Sequence, residues 1–185
     1  PGYICAIVAS IVLGVPVKWI EDRTENLQAT AFARDYHMTG ELAATRDGRI
    51  TALRCHVLAD HGAFDSCADP TKYPAGFFSI CTGAYAIPVA HVSVDGVYTN
   101  KAPGGVAYRC SFRVTEAAYC IERAIDVLAK KLKMDPAELR LKNLIRADQF
   151  PYKSALGWEY DSGNYHVALR KAMDAVDEQE KFKMY

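Results

Sequence analysis

Cys110 sits in the run Ala107-Tyr108-Arg109-Cys110-Ser111-Phe112-Arg113, between Gly104-Gly105 and a strongly patterned helical stretch. Ser111 can cap that helix, which puts Cys110 just outside its N-terminus. The partial positive charge there, with Arg109 and Arg113 close in sequence, favours thiolate over thiol. A thiolate is the ligand that soft ions such as Cu(I) prefer. The plainer alternative is a buried cysteine beside a cap. Gly104-Gly105 matches no phosphate-loop spacing. It is either a turn or a place where backbone must approach a bulky ligand, which only glycine permits.

A second group, His56, Asp60, His61 and Asp65, has residue types that can bind a divalent metal. Residues 56 and 60 share one strand face while 61 points away, so a satisfied hydrogen-bond cluster is the expectation. His37, His91 and His166 are isolated and read as structural. The cysteines (Cys5, Cys55, Cys67, Cys81, Cys110, Cys120) are even in number, but no pair has the spacing of a zinc knuckle or a thioredoxin-like site. Most of them are expected to be reduced, buried and inert, with Cys110 set apart.

The elements that must position these residues follow from periodicity. Ile4 to Leu13 is an apolar run broken only by Ser10 and reads as a buried helix. Val17 to Ile20, after Pro16, reads as a short strand; Glu21 to Ala33 is ambiguous. Asp35 to Thr45 and Arg49 to Asp60 flank Asp47-Gly48, a tight-turn signal between extended segments. Leu53, Cys55, Val57 and Ala59 alternate with Arg54, His56, Leu58 and Asp60, giving one buried face. His61 to Tyr85 reads as an irregular connection with a short helix around Ala75 to Cys81. Val89 to Tyr98 reads as a strand and Thr99 to Gly105 as a loop.

Val114 to Lys133 has the clearest helical pattern. Val114, Ala117, Ala118, Ile121, Ile125, Leu128 and Leu132 form its apolar stripe, with Asp126 and Lys130 paired on the other side. Asp135-Pro136-Ala137-Glu138 starts another helix. A last one runs from about Tyr165 to Asp177 after a turn at Gly163-Asn164. Strands and helices mix without strict βαβ alternation, so the fold class expected is α+β, with mixed sheet elements and packed helices.

Composition narrows the functional classes. The chain has 185 residues, 50% of them hydrophobic and 24% charged, which describes a globular protein with material for a core. Lys+Arg and Asp+Glu both number 22, so net charge gives no general footprint for nucleic acid, and no nucleic-acid partner is expected. The apolar run near the start is shorter than the ~20 residues of a membrane span and lacks the flanks of a signal peptide. Opening on Pro1-Gly2 without an initiator Met, the chain reads as an excerpt of a longer protein.

The run AYRCSFR at Ala107 to Arg113 resembles the active-site loop in the large, molybdenum-containing subunit of the aerobic, copper-using carbon monoxide dehydrogenases. These belong to the xanthine oxidase family of molybdenum hydroxylases. The likeness extends through VKWIEDR (Val17 to Arg23), FARDYHMT (Phe32 to Thr39), CHVLADHGAFD (Cys55 to Asp65), DGVYTNKAPGGVAYRCSFRVTEA (Asp95 to Ala117) and GWEYDSGNY (Gly157 to Tyr165). It covers nearly all of the chain but only a fraction of the family's large subunit. The resemblance implies one fragment, 1–185, of a molybdenum-cofactor-binding region, with the active-site loop at 104–113 followed by a helix at 114–133.

It also implies chemistry. The family binds molybdopterin cytosine dinucleotide, with molybdenum joined through a sulfide to copper(I) held by the loop cysteine, here Cys110. Carbon monoxide is a soft ligand suited to Cu(I), and it is oxidised with water to carbon dioxide. Electrons then pass to iron–sulfur (2Fe-2S) clusters on a small partner subunit and FAD on a medium one, in a dimer of heterotrimers. Carried over, Arg109 supports the thiolate and cofactor oxygens, and Phe112 is an apolar wall. Gly105, Ala107, Tyr108, Arg109 and Ser111 contact the cofactor, and Arg113 pairs with Glu116. The implied location is cytoplasmic, including the inner face of the membrane. The fragment alone is expected to be inactive, because the family's other site segments lie outside it. Two readings compete: a copper-free hydroxylase of aldehydes or N-heterocycles, which needs no thiol at 110, and a non-catalytic scaffold module.

Overall fold

The computed structural model describes residues 2–29, 35–63, 79–101 and 114–183, without the side chains of 29 and 177–183. The described elements run in the order α1 (Gly2–Leu13), α2 (Arg23–Ala29), β1 (Tyr36–Ala44), β2 (Ile50–Gly62), β3 (Ala90–Tyr98), α3 (Val114–Leu132) and α4 (Pro136–Asn143). A 3-10 turn (Ala147–Gln149), the two-residue strands β4 (Tyr152–Lys153) and β5 (Glu159–Tyr160), and α5 (Tyr165–Lys183) complete it. The mixture is the α+β class that the sequence predicts.

β1 and β2 form the expected hairpin, antiparallel from Tyr36↔Ala59 to Ala44↔Ile50. Gly48 turns it at φ +88°, where a Cβ would also come within 3.0 Å of Leu139 and Met134. Glycine alone is free of strain there. β3 adds on the far side of β2 in parallel, so β2 is the central strand of a mixed sheet. Its inward residues Leu53, Cys55, Val57 and Ala59 are buried, while Arg54, His56 and Leu58 are exposed, as the alternation requires.

α3 lies over this sheet and supplies Ala117, Cys120, Ile121, Ile125 and Ala129 to the core. The predicted stripe shifts slightly: Val114 and Ala118 face solvent, and Cys120 and Ala129 take core positions instead. The expected Asp126–Lys130 pair is replaced by a stronger one. Arg140 of α4 donates to Glu122 Oε2 at 2.8 Å and to Asp126 Oδ1 at 2.9 Å. Tyr85 Oη donates to the other Glu122 oxygen at 2.7 Å, and burial pushes its phenol upward. The two carboxylates and the phenol thus join α3, α4 and the segment before β3.

α4 starts as its sequence predicts, with Asp135 Oδ1 accepting from the backbone N–H of Ala137 and Glu138. Buried Asn143 then ties the helix to the hairpin. Its Oδ1 accepts from Ile50 N at 2.9 Å and its Nδ2 donates to the carbonyls of Gly48 and Leu139 at 2.8 Å. α5 begins after Gly163 with Asn164 accepting from Val167 N, and extends beyond the expected end at Asp177.

Two expectations near the start are corrected. Ile4 to Leu13 is helical, but none of α1 is buried; Tyr3 and Ile11 are each 75% exposed. The run is apolar all round, so nothing in its pattern selects an inward face, and no described element covers it. Val17 to Ile20 is no strand, because no described strand pairs with it. Trp19 instead packs its ring edge-on to Tyr3, with centroids 5.1 Å apart, and lies where a Cβ on Gly2 would be. The ambiguous stretch holds α2. Of the short helix expected around Ala75 to Cys81, only Ser79 and Ile80 are described and helical. No described helix is long and apolar enough to cross a membrane.

Candidate functional site

Every residue that the sequence assigns to the site (Gly105, Ala107, Tyr108, Arg109, Cys110, Ser111 and Phe112) lies outside the described residues, with Gly104 and Arg113. What the structure describes is the frame on which the segment is hung: the ends of β2 and β3 on one side, the first turn of α3 on the other.

The strand side is fastened through Asp60. Its Oδ1 accepts from Gly62 N at 2.7 Å and Thr99 Oγ1 at 2.8 Å, and its Oδ2 lies 3.2 Å from Lys101 Nζ. Burial raises the Asp60 carboxyl, but these three partners outweigh it and hold the group below its ordinary range. Lys101 also bonds Asp35 at the start of the hairpin. Backbone bonds from Thr99 N to Gly62 O and from Ala63 N to Lys101 O complete the knot. A register shift in β2 between Asp60 and Gly62 creates this arrangement, as a bulge beside a working loop often does.

On the helix side, the N-terminus of α3 carries a partial positive charge, which favours negative charge nearby. Glu116 is buried within this first turn and accepts from Thr115 Oγ1 at 2.8 Å. A cavity of about 180 Å³ opens between Thr115, Glu116 and Tyr119 of α3 and Tyr36 and Met38 of β1.

The described members of the histidine–carboxylate group are held by separate partners on the strands, not by one another. His56 Nδ1 meets Ser93 Oγ at 2.9 Å and Asp60 is held as above. His61 is turned to the other side, buried against Tyr98 and directly over Gly96, where a Cβ would lie 2.8 Å from its Nε2. Asp65 and Cys67 lie outside the described residues. His166 is structural, bonded through Nε2 to the Leu141 carbonyl.

One cluster escaped the sequence reading. Among the described residues, the His, Cys, Asp and Glu ligand atoms close enough to share an ion are the Sγ atoms of Cys55, Cys81 and Cys120. The inward position of Cys55 on β2 was legible. The meeting with Cys81 and Cys120 depends on how α3 crosses the sheet, for which no short spacing is a signal.

The comparisons with known proteins agree with this frame. Residues 1–144 match the molybdopterin cofactor-binding domain. The chain is 74% identical over 175 residues to the carbon monoxide dehydrogenase large chain of Afipia carboxidovorans, covering 95% of this chain and 22% of that one. It is 36% identical to the nicotine 6-hydroxylase large subunit of Paenarthrobacter nicotinovorans, over 92% of this chain and 21% of that one. The crystal structure of a Cu,Mo-CO dehydrogenase in its carbon monoxide reduced state superposes with a TM-score of 0.85 at 69% identity, over 99% of this chain and 24% of that one. The chain thus spans less than a quarter of the length of these relatives. A mixed sheet under an amphipathic helix, with a family match through residue 144 of 185, settles the lineage: this chain belongs to the molybdopterin cofactor-binding domain family.

Proposed function

We propose that the protein carrying this chain oxidises carbon monoxide with water to carbon dioxide at a molybdenum–sulfide–copper centre, and that this chain supplies the copper ligand, Cys110. The observation that carries the reading is the cysteine within AYRCSFR, in a chain 74% identical to a carbon monoxide dehydrogenase large chain. The donor set fits the group chemically: a thiol for a soft ion, beside a guanidinium for the negative charge of thiolate and dinucleotide. When bound, molybdenum and copper would supply the redox chemistry.

The chain's own residues prepare that site. Cys110 holds the soft ion as a thiolate, and Arg109 offsets the accumulated negative charge. Gly105, Ala107, Tyr108 and Ser111 give backbone groups to the cofactor, and Phe112 narrows access to a small diatomic that needs few hydrogen bonds. The Asp60–Thr99–Lys101 knot and the first turn of α3 fix the two ends of the segment 102–113. Further subunits carrying FAD and 2Fe-2S clusters, in a dimer of heterotrimers on the cytoplasmic side, complete the proposal and rest on the resemblance alone.

The test is Cys110→Ser in the complete enzyme. Carbon monoxide oxidation should fall to background and copper content should drop by one equivalent, while molybdenum content and the unfolding temperature stay as they were. Retained copper with undiminished oxidation would overturn the assignment. Full hydroxylation of an N-heterocycle by the same variant would favour the copper-free reading.

A further inference from the structure

Cys55 and Cys81 are fully buried and Cys120 is 7% exposed, and the three sulfurs lie within 4.8 Å of one another. The closest pair, Cys55 and Cys120, is 3.2 Å apart. They converge from three separate elements: the central strand β2, the segment before β3, and the inner face of α3. The surroundings are apolar core, yet the cluster has a route to solvent. A groove of about 500 Å³ runs between β1 and α3, lined by Met38, Gly40, Leu42, Tyr119, Cys120 and Ala124 among others. Gly40 keeps it open over the sulfur: a Cβ there would lie 3.1 Å from Cys120 Sγ.

We propose that Cys55, Cys81 and Cys120 form a binding site for one Cu(I) ion, reached through the groove between β1 and α3. The site does not use the loop thiol and does not depend on the function proposed above. Soft thiolates select soft ions, and an all-sulfur set of three, without imidazole or carboxylate, suits Cu(I). A metal–sulfur bond of about 2.3 Å places three sulfurs around one ion about 4.0 Å apart, a span this cluster brackets. Structural Zn(II) asks for a fourth protein ligand, and no described His, Cys, Asp or Glu supplies it.

The experiment uses the complete subunit with Cys110→Ser, so that the loop thiol cannot contribute. Anaerobic titration with Cu(I) against a chromogenic Cu(I) chelator should leave one equivalent on the protein, and copper X-ray absorption should show sulfur ligands only. Adding Cys81→Ala or Cys120→Ser should weaken retention by roughly tenfold or more, the scale on which metal sites respond to loss of a supporting group. If these variants do not fold, the titration and absorption of the Cys110→Ser protein decide alone. No retained copper, a nitrogen- or oxygen-rich copper shell, undiminished retention in folded triad variants, or retention of Zn(II) in preference to Cu(I) would each overturn the site.

Discussion

α1 and α3 are both rich in apolar residues, and the fold treats them in opposite ways. In α3, six of nineteen residues are buried and the charged side engages Arg140 of α4. α1 buries none of its twelve residues, and Tyr3, Ile4, Ile7, Val8, Ile11, Val12 and Leu13 are all exposed. Its ties are the Tyr3–Trp19 edge contact and the bonds of Ser10, which donates from Oγ to Val15 O at 2.8 Å. Total hydrophobicity therefore does not decide burial. A stripe with a polar side opposite it has a direction, and a uniform run has none.

The sharpest test of that contrast is Ile125→Ala. Ile125 is fully buried at the centre of the α3 stripe, so its loss opens a cavity in a core that cannot close it cheaply. The chain should lose about 3 kcal/mol in urea unfolding. A loss under about 1 kcal/mol would mean that the stripe does not hold α3 on the sheet.

A smaller effect separates polar anchoring in the two regions. Asp60 has three partners at the strand ends, with its side chain 11% exposed, where α1 has a single hydroxyl bond from a side chain. Asp60→Asn should cost about 1–2 kcal/mol at pH 7. The folded carboxyl is held low, so the wild-type advantage is complete above the unfolded value near pH 4 and disappears as pH falls through the folded one. Parallel stability curves for wild type and variant between pH 7 and pH 2 would show that the charge of Asp60 fastens nothing.

The same contrast explains what could be read beforehand. Periodicity found the hairpin, β3, α3 and α4, because each alternates or repeats against a polar side and has its own turn or cap: Gly48, Asp135. It misjudged α1, whose uniform run carries no direction, and Val17 to Ile20, whose strand character needed a neighbour it lacks. Of the loop chemistry, Cys110 and its flanking arginines were legible as residue types. The knot at Asp60 was not, because Thr99 and Lys101 reach it only through the parallel pairing of β2 with β3. Parallel pairing is a long-range choice that a local pattern does not state. The thiol cluster and the tie from Asn143 to the hairpin were hidden for the same reason: the residues they join are 26 to 95 apart in the chain.

The mildest change asks whether α1 is as unsupported as it stands here. Ile11 is 75% exposed, and Ile and Ser differ little in helix propensity, so Ile11→Ser removes only solvent-facing surface. In the chain alone, urea unfolding should move by no more than about 0.5 kcal/mol. Binding of a dye that reports exposed apolar surface should fall, since the α1 face is an apolar patch of the kind that marks contact with another surface. A cost above about 1 kcal/mol would instead place Ile11 against other residues, and the contrast with α3 would reduce to one of degree.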